Sequence, residues 1–243
     1  MKAHQKYLEN LISKLSELKS SDSSIESAAQ VFADSLAKDG LIHIFGTGHS
    51  HMLAEEMFYR AGGLGSVNPI LEEDLMLHIN ASRSTELERD ANLANAILAK
   101  HPLKAGEVFI IASNSGGNAL IEAMANEVKA RGLTLIAITS LRHAKSKEAR
   151  SQSKKLHEIA DIVIDNLGEV GDAAISYPDM NEKVGPTSSV VGTAIINAVT
   201  VRAVEILLER GVKPTVFSSS NTASGDEHNN ELIAQLKERI AIL

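Results

Sequence analysis

Val108-Phe109-Ile110-Ile111-Ala112 runs straight into Ser113-Asn114-Ser115-Gly116-Gly117-Asn118, and that loop runs into an amphipathic stretch, 119–131, closed by Gly132. A short β-branched apolar run, a break of serines and glycines and then a helical period read as strand, tight loop and helix. The first amides of a helix lack intrahelical acceptors and lie at the positive end of its dipole, so such a loop receives an anion. Ser113 and Ser115 add hydroxyl donors, while Gly116 and Gly117 let the backbone approach a ligand closely. The same residue types also serve as plain N-caps and turns, so the loop alone leaves both readings open.

The unit recurs in both directions along the chain. Upstream, 41–45 reads as a strand ending in Gly46-Thr47-Gly48, with a helix over 50–61, a second strand over 67–71 and a helix over 86–100. Downstream, 133–139 is a strand, 146–159 a helix and 162–164 a fifth strand. Leu8, Leu11, Ile12, Leu15 and Leu18, then Ile25, Ala28, Ala29, Phe32 and Leu36, predict two helices ahead of the first strand. Residues 165–186 dissolve into Gly, Asp, Pro and Asn, 188–210 is a long helix apolar around most of its circumference, and 231–243 returns to helix. Alternating strands and helices imply right-handed crossovers and an α/β fold. The expectation is a three-layer doubly wound sandwich on a parallel five-stranded sheet, with N-terminal helices and a C-terminal helix. It is read as one domain over 1–243, with its core at about 36–210, a helical extension at 1–35 and a C-terminal segment at 211–243.

Composition bounds the chemistry. The 243 residues are 44% hydrophobic and 23% charged, the balance of a folding globular chain. A net charge of −7 and 3% aromatics oppose a phosphate-backbone binder, so nucleic acid is not expected as a partner. One local exception runs through Arg142, His143, Lys145, Lys147, Arg150, Lys154 and Lys155, read as a solvated helix face or as a rim that attracts anions. With no cysteine there is neither disulfide nor thiolate chemistry. Residues 1–19 are charged throughout and no membrane-length apolar run is evident, so the expected setting is cytoplasmic, with no membrane partner.

In an open parallel sheet the ligand sits beyond the carboxyl ends of the strands. Small polar residues recur there: Gly46-Thr47-Gly48-His49-Ser50, then Ser113, Asn114, Ser115, Gly116 and Asn118, then Thr139-Ser140. Together with Ser188-Ser189 opening the long helix, this set resembles the sugar isomerase (SIS) domain family, over about 36–210, and within it the small stand-alone phosphosugar-binding proteins related to phosphoheptose isomerase. The resemblance implies an SIS-type fold, a sugar phosphate (hexose, amino-sugar or heptose phosphate) held at the serine loops, and a homodimer or homotetramer with sites at subunit interfaces. Ala54-Glu55-Glu56 is similar to the run that carries the isomerase's active-site glutamate, which implies Glu56 as base. That enzyme's metal is held partly by Gln and His on the last long helix; here 192–208 offers Asn197 alone, and no metal or cofactor is expected.

Aldose–ketose isomerisation needs a base that moves a proton between adjacent carbons through an enediol, and an acid at the carbonyl or ring oxygen. Glu56 is the leading base, with Glu72 or Glu73, directly after the second strand, as the other candidates. His49 and His51 flank Ser50, where one serves as acid or hydroxyl ligand, and His228 in Gly225-Asp226-Glu227-His228 is nominated as the ring-opening acid. His78 reads better as structural. The alternatives are a non-catalytic sugar-phosphate sensor, an etherase or lyase acting on an amino-sugar phosphate, and a dinucleotide site. For the last, His51 stands where the third glycine of the fingerprint is needed. Residues 1–35 are too short for a helix-turn-helix, which weighs against a transcription regulator.

Overall fold

A computed structural model describes residues 1–20, 23–149, 154–221 and 225–243. Helices α1 (Ala3–Ser20) and α2 (Ser23–Leu36) lead into β1 (Ile42–Gly46), a 3-10 turn (Gly48–His51) and α3 (Met52–Met57). Then come β2 (Val67–Ile70), α4 (Leu77–Leu87), α5 (Leu93–Leu98), β3 (Val108–Ala112), α6 (Ala119–Ala130) and β4 (Thr134–Thr139). Two short helices, α7 (Leu141–Ala144) and α8 (Leu156–Ile159), precede β5 (Ile162–Asp165). A small hairpin, β6 (Ala173–Ile175) and β7 (Val184–Pro186), leads to α9 (Ser188–Glu209) and α10 (Gly225–Leu236).

The main sheet has the expected five parallel strands, and their order is β2-β1-β3-β4-β5. Its side chains alternate between two faces. Ile42, Ile44, Val108, Ile110, Ile136 and Ile138 meet α2 and α9, while Phe45, Phe109, Ile111, Leu135 and Ala137 meet α5 and α6. Pro69, which cannot donate to a ladder, is accommodated because β2 is an edge strand of this sheet. Chain order reverses at β1: the chain leaves it for β2 on one side and returns past it to β3 on the other. The β1 and β3 carboxyl ends are therefore neighbours at the switch point, where an open sheet leaves a crevice.

Several element boundaries differ from the sequence reading. The helix expected over 86–100 is two helices, with 88–92 turning between them, and α4 begins already at Leu77 and kinks at Asn80. Of the helix expected over 146–159 the described residues show α8; 146–149 are turns and bends, and 150–153, with Arg150, lie outside the described residues. The loop over 165–186 contains the β6–β7 hairpin, and the last helix starts at Gly225 rather than 231. The first-loop helix is a 3-10 turn followed by α3, ending at Met57 rather than Ala61. Among the described residues α9 alone is long and apolar enough to cross a membrane, and half of its apolar window is buried within the fold.

At the amino-terminal edge of the sheet a buried polar knot ties the C-terminal segment to the core. Glu107 accepts from Leu41 N (3.0 Å), Lys104 N (2.9 Å), His43 Nε2 (2.9 Å) and Arg239 Nη2 (2.8 Å). His43 Nδ1 faces the Asn68 amide at 3.0 Å, so this imidazole donates from Nε2 and accepts at Nδ1, the neutral form. Burial, more than the opposing pull of Glu107, sets its pKa below the ordinary imidazole value.

Candidate functional site

The loop 113–118 is shaped by its glycines. Gly116 sits at φ +63°, and a Cβ there would stand 3.1 Å from Leu156 Cβ, so both the backbone conformation and the close approach of α8 favour glycine. Ser113 Oγ accepts the Gly116 amide at 3.2 Å, which folds the loop back on itself. Among the described residues, the Ser115 and Gly117 amides and the Ser115 hydroxyl donate to no protein acceptor. These donors stand immediately ahead of α6, where the helix dipole adds positive potential.

The other strand-end loops close around it. In the first, a Cβ on Gly46 would lie 2.5 Å from the Ser50 carbonyl oxygen, and the Ser50 amide donates to Thr47 O at 3.0 Å. From the fourth strand, Thr139 Oγ1 and the Ser140 amide both donate to Asn114 O, each at 3.1 Å. Ser140 Oγ accepts from His143 N, capping α7, and donates to Gly168 O at 2.7 Å. A narrow cleft results, lined by Ser50, Leu53, Ser113, Asn114, Asn166 and the Ser188-Ser189 pair. The sequence-nominated binding loops thus meet in one place, although Ser188 is already engaged. Its hydroxyl donates to Asp172 Oδ2 at 2.5 Å, and Asp172 Oδ1 also takes the Thr187 and Ser188 amides, capping α9.

The nominated acid–base groups are more dispersed. Glu56 is ion-paired with Arg60 and accepts from Asn197 Nδ2 at 2.8 Å. Asn197 lies eight residues beyond Ser189 on α9, which is about 12 Å along a helix. Glu72 pairs with Lys100 Nζ at 2.7 and 2.8 Å, and Glu73 is exposed. His49 is exposed, whereas His51 is buried with Nδ1 against Gly48 O. A carbonyl only accepts, so Nδ1 carries the proton and Nε2, 3.6 Å from Glu55, is the second ring nitrogen. His78 stands 6.4 Å from it, ring centre to ring centre. His228 bonds Val216 O at 2.8 Å, in the segment that pairs with Leu64 ahead of β2, so within one chain it stands at the opposite end of the sheet. Ser224, just ahead of that helix, lies outside the described residues.

Two polar groups at the strand-end loops stand outside the sequence-nominated set. Glu88 Oε2 accepts from Asn118 Nδ2 at 2.8 Å, and its Oε1 lies 3.6 Å from where a Cβ on Gly48 would be, so this carboxylate bridges the first and third loops. A continuous helix over 86–100 would have made it an ordinary surface glutamate; the break after Leu87 turns it toward the loops. Asn166, buried after β5, donates to Asn114 Oδ1 at 3.0 Å and accepts the Gly168 amide at 2.9 Å. Its place at a strand end was the signal available for it.

The donor set where the resemblance places a metal does not fit one. Asn197 is occupied with Glu56, and among the described residues no three His, Cys, Asp or Glu side chains gather around a common point. A larger cavity, about 370 Å³, lies at the other end of the sheet, among Leu41, Leu64, Leu207, Leu236, Lys213 and Arg239. Arg239 is neutralised there by Glu107, and none of the serine loops reaches it.

The SIS domain model matches residues 6–140 of this chain. A UPF0309 protein of Geobacillus thermodenitrificans is 43% identical over 227 residues, 93% of this chain and 91% of the relative. A UPF0309 protein of Thermoanaerobacter pseudethanolicus is 41% identical over 240 residues, covering 96% and 97%. Among solved structures, a phosphoheptose isomerase from Francisella tularensis superposes with a TM-score of 0.52 at 15% identity, over 84% of this chain and 100% of that one, a likeness of fold.

Proposed function

We propose, since the chain belongs to the SIS domain family, that the cleft at the carboxyl edge binds a sugar phosphate and interconverts its aldose and ketose forms through an enediol. The observation that carries this reading is the unpaired donor set of Ser115 and Gly117 at the head of α6, directly after Ser113 and Asn114, which line the cleft with Ser50, Asn166 and Ser189. The phosphate takes those donors, and the sugar extends toward the first loop. Within one chain Glu88 is the carboxylate best placed for proton transfer, because it touches both loops. Glu56 and His228 would act on a ligand held partly by a second copy of the chain, which fits a homo-oligomer.

Incubation in deuterated water with hexose, amino-sugar and heptose phosphates tests the reaction. Solvent deuterium at C1 or C2 of a bound sugar, lost in Glu88→Gln, supports it. No deuterium in any sugar that binds removes the isomerase.

One observation favours a second reading, a binding module without turnover. Glu56 is ion-paired with Arg60 and hydrogen-bonded by Asn197, so within one chain its carboxylate is already engaged by protein partners. A sugar phosphate that raises Tm in wild type and in Glu56→Gln and Glu88→Gln alike, with no exchange, identifies that module.

A further inference from the structure

Helix α1 buries a lysine and exposes two of its own apolar residues. Leu8 and Ile12 face out, whereas Lys14 is 6% exposed and shares the inner face with the buried Leu11 and Leu18. A lysine is kept inside only where its ammonium is paired and hydrogen-bonded. Here Nζ donates to Leu167 O and meets Glu169 Oε1 at 3.2 Å. Burial would raise the Glu169 pKa, but hydrogen bonds from Arg142 and Lys14 outweigh it and hold the carboxylate below its ordinary value. Among the described residues Leu167 O has no donor other than Lys14.

Two contacts of the strand-end loops turn on Leu167. Its φ is +56°, a conformation that a bulky residue takes only when it is held there. Its amide is on Asp165 Oδ1 at 3.0 Å, and Lys14 fixes its carbonyl. Asn166, on the cleft wall, donates to Asn114 Oδ1 at 3.0 Å, and Gly168 O accepts the Ser140 hydroxyl at 2.7 Å. The packing there is close: a Cβ on Gly168 would stand 2.9 Å from Asn166 Oδ1 and 3.1 Å from Asn114 Oδ1. Asn114 directly precedes Ser115, the first of the free donors. The same face of α1 reaches a second wall, because Tyr7, seven residues before Lys14, donates from its hydroxyl to Pro186 O at 2.7 Å, just ahead of Ser188-Ser189.

We propose that Lys14 is a positioning residue of the cleft: by holding Leu167 in its left-handed conformation it keeps Asn166 against Asn114, and so keeps the 113–118 loop in the shape that receives a phosphate. The inference rests on the sugar-phosphate reading of the cleft and adds α1, which carries none of the strand-end loops, to the binding machinery. A lysine that served stability alone would leave ligand affinity untouched when replaced.

The test is calorimetric titration of the full chain with fructose 6-phosphate, glucosamine 6-phosphate and sedoheptulose 7-phosphate, the tightest of which is then titrated into three variants. K14M and K14Q remove the charged donor. E107Q removes a buried carboxylate at the opposite end of the sheet and is the control for lost stability alone. The Lys14 variants should bind more than about fivefold more weakly than wild type, because the loop is no longer pre-organised. E107Q should lower Tm yet keep its affinity within about twofold. A smaller loss in the Lys14 variants, or an equal loss in E107Q, overturns the inference and leaves the cleft reading standing. If none of the three sugars binds wild type, the cleft reading falls and the inference with it. Circular dichroism shows which variants are folded, and K14Q, with a polar end in the buried position, carries the test if K14M does not fold.

Discussion

Glu107 shows how a buried carboxylate can be held charged. Burial pushes its pKa up, but hydrogen bonds from His43, Arg239, Lys104 N and Leu41 N outweigh that and hold it at about 2, against an ordinary 4.5. Because the folded value lies below the unfolded one, its stabilisation is present above pH 4.5 and drains away as pH falls from there toward 2. His43, lowered by burial, adds to the same slope from about pH 6.5 downward. Glu107→Gln should therefore cost about 3 kcal/mol at pH 7, leaving Arg239 and the two amides short of a charged acceptor. Urea midpoints at pH 7 and pH 3.5 check this: wild type should lose more between the two than the variant, and parallel losses would contradict the assignment. Glu88 is the corresponding residue at the ligand end. Its substitution by Gln should leave the urea midpoint nearly unchanged, because its neighbours Asn118 and Gly48 are polar and part-exposed.

At the level of elements, Gly116 links the loop to the packing of α8. With φ at +63° and Leu156 3.1 Å from a new Cβ, Gly116→Ala should cost about 1–3 kcal/mol and displace the free donors of Ser115 and Gly117. Calorimetry would then show a lower Tm together with a lost sugar-phosphate shift; an unchanged ligand shift would separate the glycine from the cradle. The strands were legible because β-branched runs ended in small polar residues, and period two put alternate residues on opposite faces. Where they ended was legible too, and with it the loops of the cleft. The interruption at 88–92 was not, because Glu86, Glu88 and Asn92 carry no proline or glycine to break a helical period; the turn is imposed by Asp90, whose carboxylate accepts the Asn92 amide. Glu88 was hidden with it. His228 stood out as a chemically able residue in a polar loop, yet the hydrogen bond that fixes it to Val216 depends on a pairing between segments some 150 positions apart, which local sequence does not encode.

For the whole molecule, the unexplained surface is apolar. α9 exposes Val190, Val201 and Leu208, and α1 exposes Leu8 and Ile12, with Val201 at 70% and Ile12 at 63%. A second copy of the chain covering these helices would bury them, and would be the means by which Glu56 and Asn197 on that side reach a shared site. Val201→Glu should shift light scattering from an oligomer to a monomer with the far-ultraviolet spectrum retained; a wild-type monomer would remove the proposal. The sheet itself offers two ends to a ligand: the serine cleft at the carboxyl edge and the larger cavity near Arg239 at the other. The proposed sugar-phosphate site is the first. A crystal structure with a bound sugar phosphate decides between them: the phosphate should lie within about 3 Å of the Ser115 and Gly117 amides, and a phosphate found instead among Lys213, Thr215 and Arg239 would contradict it.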